Sequence, residues 1–121
     1  LGLAQIERLK RYITGKKKLF NMYKKIFSNK EMLSFFKPPK NLSWNYWLNA
    51  ILLKSESIKI RNEIISKLNK NGINARPIWQ LNHKIKMYRN YPKMNLSNAE
   101  RLEKKIINLP SSAHLLLDEK K

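Results

Sequence analysis

Residues 43–53 read SWNYWLNAILL, and the fold of the 121-residue chain turns on how they are read. Aromatic and aliphatic side chains suit a pleated, half-buried surface, so the run predicts a strand in a central position. Strict alternation sets Trp44, Tyr46, Leu48, Ala50 and Leu52 on one face, and Asn45, Trp47, Asn49, Ile51 and Leu53 on the other. Both faces are then largely apolar, the second interrupted by its two amides.

On the carboxyl side, Ser55 or Ser57 caps a helix whose Ile58, Ile64, Ile65 and Leu68 face inward, and Gly72 in NKNG supplies a left-handed stop. The stretch INARPIW, 73–79, resumes as a strand with Pro77 at its edge or end. Ser97 and Glu100 in SNAE form a capping box that opens a helix through Leu102, Glu103 and Ile106. IINLPSS, 106–112, is a last short strand closed by Pro110. On the amino side, Ile6, Leu9, Ile13, Phe20, Tyr23 and Phe27 make one apolar stripe on a helix over 3–27, with a kink or break expected at Gly15. A short strand at Met32–Phe36 ends where KPPKN begins. This order of elements indicates a single α+β (α/β type) domain over residues 1–121. The chain opens on Leu1 with helical periodicity already running, which suggests a piece cut from a longer protein.

The formal net charge is +18, and of 26 cations 20 are Lys and 6 are Arg. A basic surface attracts phosphates, yet bidentate recognition favours Arg, so most of the Lys read as solvated surface. With no Cys, disulfides, thiolate zinc sites and cysteine nucleophiles are excluded. No apolar run approaches the roughly 18 residues that cross a bilayer, so no membrane partner is expected. Among the eight carboxylates, Glu7, Glu56, Glu63, Glu100 and Glu103 fall on helix surfaces or caps, Glu31 in a loop, and Asp118 and Glu119 in the tail. None is paired by spacing for acid and base work. His83 and His114 are too few for a metal site, and the three glycines make no phosphate loop. No catalytic residue is expected in the chain itself.

That leaves RPIWQLNH, 76–83, between a strand and a helix. Arg76 offers a planar fork for a carboxylate or phosphate, Trp79 a flat wall for a ring, and His83 a donor or acceptor near neutral pH. The plainer reading packs Trp79 in the core, pairs Arg76 with a surface acid and uses His83 to cap a turn.

Four motifs in order, GLAQIERL, NYWLNAIL, INARPIWQLNHKIKMY and AERLEKKIINLPSS, resemble the carboxyl-terminal part of the pyridoxal-phosphate-dependent nucleotide-sugar aminotransferases of DegT/DnrJ/EryC/StrS type. The nearest branch is that of legionaminic acid, bacillosamine and perosamine-like sugars, and the similarity runs from Leu1 to His114. The resemblance implies the small carboxyl-terminal domain of a cytoplasmic, homodimeric fold type I aminotransferase, a short, mostly antiparallel sheet packed against helices. The large domain, with the Schiff-base lysine for pyridoxal 5'-phosphate, would lie outside this chain. It also implies that Arg76, Trp79 and His83, in a loop of form R-P-x-W-x-x-x-H, and Asn45, in the NYW strand, lie near the cofactor and sugar-nucleotide site. LNH stands here where PLH is usual, which affects the path into His83. The implied reaction moves an amino group from glutamate to a 4-keto-6-deoxy nucleotide sugar, with neither nucleic acid nor membrane as partner. Two other readings compete: a basic nucleic-acid module stacking bases on Trp44, Trp47, Tyr88 and Tyr91, and a structural or dimerisation domain.

Overall fold

The computed structural model describes residues 2–116. It is an α+β fold: α1 (Gly2–Ile26), β1 (Leu33–Phe35), β2 (Asn49–Leu53), α2 (Ile58–Lys70), β3 (Arg76–Pro77), α3 (Ser97–Lys105) and β4 (Ile106–Leu109). Short 3₁₀ turns lie at Asn82–Lys84, Lys86–Tyr88 and Ala113–Leu115. The four strands form one fully antiparallel sheet in the order β1-β2-β4-β3, so the Pro77 strand is an edge, where a missing N–H is harmless.

Register fixes the two faces. Phe35, Ile51, Ile107 and Pro77 form one cross-strand row, and Ala50, Asn108 and Arg76 form the next, pointing the opposite way. The first row is the core except at its exposed edge residue Pro77: Ile107 is completely buried and Ile51 nearly so. Phe20 from α1 joins it, with Ile64, Ile65 and Leu68 from α2 packed against the cluster. Both helices therefore cover the same side.

The strand predicted over 43–53 is shorter than its composition suggests. Only Asn49–Leu53 pairs, and Tyr46, at a φ of 57°, leaves the extended conformation ahead of it. Trp44 and Tyr46 pack against the core cluster, as do Ile51 and Leu53. The alternation thus changes parity at Tyr46, and period two cannot run through a left-handed residue.

The helix over 2–26 is continuous through Gly15, which is buried in it rather than marking a break. Its stripe is buried only toward the carboxyl end: Leu19 and Phe20 are inside, whereas Leu3, Ile6 and Leu9 are exposed. Ser57 caps α2 by accepting from Ile60 N at 3.3 Å, and Gly72 stands at φ 77° as expected, but Ile58 is exposed rather than inward. β1 and β3 are shorter than the predicted 32–36 and 73–79. α3 ends at Lys105, so Ile106 opens β4 instead of closing the helix. The capping box does not form: Leu96 is the cap residue, and Asn95 Oδ1 accepts from Ser97 N at 2.9 Å. Asp118 and Glu119 lie outside the described residues.

Candidate functional site

The segment after β3 leaves the sheet edge and runs over α3, held there by two carboxylates one helical turn apart. Glu100 Oε1 meets His83 Nε2 at 2.9 Å, and Glu103 accepts from the Lys84 ammonium and, at 3.5 Å, from Leu81 N. Residues i and i+3 on a helix share a face, so adjacent His83 and Lys84 find adjacent acids. Burial alone would raise the Glu103 carboxyl, but Lys84, the Leu81 amide and Arg61 outweigh it and hold it below the usual carboxylate range. Arg61, buried on α2, donates to the Glu103 carbonyl at 2.5 Å, placing a cation in the last turn of α3, where the helix dipole favours one.

Above α3 this leaves a groove of ≈ 850 Å³, with Trp79, Leu81, His83, Tyr88, Tyr91 and Lys93 in its lining. Trp79 is 63% exposed and the His83 side chain 14%, so neither of the two is sealed in the core. Trp79 packs instead on Trp47, their ring centroids 5.9 Å apart and tilted by 33°. Arg76 is exposed on β3, in the sheet row away from the helices, beside Asn108. Asn45 lies in a separate shallow hollow with Ile13, Ser43 and Trp44, and its Oδ1 accepts from Trp47 N at 3.0 Å.

The structure therefore brings Trp79 and His83 to one groove, keeps Arg76 on the same chain segment but outside the lining, and links Asn45 to the groove only through Trp47. Sequence reasoning missed Glu100 and Glu103 as the loop's anchors, Tyr88, Tyr91 and Lys93 as groove walls, and Trp47 as the partner of Trp79. The sequence offered only E-x-x-E on a helix, a spacing that reads equally well as solvated surface. Trp44, offered as a stacking residue for nucleic acid, packs against Phe20, Phe36 and Tyr46. Among the described residues, no group of three His, Cys, Asp or Glu could hold a metal ion, and no helix is long and apolar enough to cross a membrane.

A family model, the DegT/DnrJ/EryC1/StrS aminotransferase family, matches residues 1–121. A GDP-perosamine synthase of Escherichia coli O157:H7 is 32% identical over 114 residues, covering 92% of this chain and 29% of the relative. Helicobacter pylori PseC, an aminotransferase involved in the biosynthesis of pseudoaminic acid, superposes with a TM-score of 0.83 at 24% identity, covering 97% of this chain and 32% of PseC. The E. coli GDP-4-keto-6-deoxy-D-mannose-3-dehydratase with bound hydrated PLP superposes with a TM-score of 0.75 at 24% identity, covering 93% of this chain and 30% of the dehydratase. The chain spans about a third of the length of these proteins.

Proposed function

The chain belongs to the DegT/DnrJ/EryC1/StrS aminotransferase family, and on that premise we propose that it is the small carboxyl-terminal domain of a pyridoxal-phosphate-dependent aminotransferase acting on a nucleotide sugar. In this reading the amino donor is glutamate and the acceptor a 4-keto-6-deoxy nucleotide sugar. The whole enzyme is a cytoplasmic homodimer whose large domain is not in this chain. The basic surface then aids solubility and engages neither nucleic acid nor membrane. The observation that supports it most is that Trp79 and His83 open on one groove instead of filling the core.

Pyridoxal phosphate needs an amine for its aldehyde, an acid for its ring nitrogen and donors for its phosphate. The residues here fit the surroundings of that group and not its anchor. Lys16 illustrates the point: its ammonium donates to the carbonyls of Ser111 at 2.5 Å and Trp47 at 3.3 Å, and burial lowers its pKa, so it is a strut between segments. Glu100 and Glu103 are likewise engaged by His83 and Lys84. When bound in the whole enzyme, the cofactor supplies the electron sink for moving the amino group.

This chain's own residues contribute binding surface. Trp79 walls the groove with an indole face on which a ring can stack. His83, oriented by Glu100, presents a fixed imidazole edge toward a polar group of the substrate. Arg76 carries an exposed guanidinium fork suited to the donor carboxylate or a substrate phosphate. Arg76→Lys in the full-length protein keeps the charge and removes the fork, and the KM of glutamate or of the sugar nucleotide is expected to rise roughly tenfold. Unchanged values for both would remove Arg76 from the site.

A further inference from the structure

Two indoles lie side by side on the surface, Trp47 at 64% exposure and Trp79 at 63%. They reach each other from different parts of the chain, one from the irregular segment before β2 and one from the segment after β3. Single exposed aromatics are ordinary, but this pair is held by specific devices. Tyr46, at φ 57°, sits just before Trp47 in the left-handed region, while Trp44 and Tyr46 pack on the core. A left-handed aromatic residue persists only when its surroundings over-determine it. Here the backbone on both sides of Trp47 is fixed: its N–H donates to Asn45 Oδ1 at 3.0 Å, and its carbonyl accepts from Lys16 Nζ at 3.3 Å. Lys16 is in turn tied to Ser111.

Trp79 lines the groove and Trp47 does not, so Trp47 meets the Trp79 ring from outside. Among the described residues Trp47 is the aromatic partner that Trp79 has. We propose that Trp47 is a positioning residue, which holds the Trp79 indole as the groove's wall so that the free face of Trp79 stacks on a ring of the sugar nucleotide. The inference rests on the function proposed above for Trp79, and it gives Asn45 and Lys16 a common purpose in fixing Trp47. An indole backed by a second indole loses less freedom when a ring stacks on it, which is how preorganisation raises affinity.

The test uses the full-length protein with Trp47→Ala, Trp47→Phe, Trp79→Ala and the double alanine variant, and has two readouts. The first needs no ligand: adjacent indoles give an exciton couplet in far-ultraviolet circular dichroism, expected in the parent and lost alike in Trp47→Ala and Trp79→Ala. Its absence from the parent overturns the inference whatever the protein's function. The second is the KM of the sugar nucleotide beside the rate of the glutamate half-reaction. Trp47→Ala is expected to raise that KM by roughly tenfold, Trp47→Phe to recover most of it, and the double variant to match Trp79→Ala, since Trp47 acts through Trp79. An unchanged KM in Trp47→Ala, additive losses in the double variant, or an equal fall in the glutamate half-reaction overturns it. A couplet in a protein that does not aminate sugar nucleotides would instead count against the function proposed for the groove.

Discussion

Glu103 shows how one side chain can organise a loop. Its carboxylate holds Lys84 and the Leu81 amide, and its own carbonyl is held by Arg61, so α2, α3 and the groove segment meet at a single residue. Its folded pKa lies below the ordinary value, so it stabilises the folded state above the unfolded value of about 4.3 and loses that contribution as pH falls through the folded one. Glu103→Gln is expected to lower the urea midpoint at neutral pH and to match the parent at strongly acidic pH. A difference that persists in acid would mean that packing, not charge, is what the residue supplies. Ile107, at the centre of the core row, makes a larger demand: Ile107→Ala is expected to lose about 2–5 kcal/mol in denaturant titrations. The strand that carries Ile107 was legible in IINLPSS, a short run closed by Pro110. The pinning of His83 and Lys84 was not, since the same glutamates read equally well as solvated helix surface or as a cap.

At the scale of elements, local signals held wherever one residue type answers one backbone need. Gly72 ends α2 at φ 77°, and a Cβ built there meets nothing within 4 Å. Gly72→Ala therefore costs only the left-handed penalty, about 1 kcal/mol, read as a shift of the unfolding midpoint with unchanged slope. A much larger loss would reveal a packing role that the open space excludes. The run 43–53 misled because its composition favours a strand throughout, while the left-handed Tyr46 lies in an irregular stretch ahead of the strand Asn49–Leu53. Propensity has no term for a left-handed residue, whose place here goes with the packing of Trp44 and Tyr46 on Phe20. The expected capping box failed for a similar reason: Glu100 finds a better partner in His83 than in the helix's own amide.

Over the whole molecule, α1 and α2 pack on the same side of the sheet core, and the amino-terminal half of α1 leaves Leu3, Ile6 and Leu9 exposed. In the proposed enzyme this row meets the large domain, so replacing Leu3 and Ile6 together by Ser in the full-length protein is expected to lower its melting temperature by several degrees. No change would mean the row faces water in the whole protein as well. The α+β class was readable from the order of elements and the family from four ordered motifs, whereas the groove was not, because its lining runs from Ile78 to Ala99, mostly through a segment that follows no period. The central claim, that this chain walls the site of a pyridoxal-phosphate enzyme, meets its most direct test in the absorbance of the purified full-length protein. The account predicts a bound-cofactor band that shifts when glutamate is added and returns when a 4-keto-6-deoxy nucleotide sugar follows. A protein that retains no cofactor after reconstitution, or whose band ignores glutamate, would contradict it.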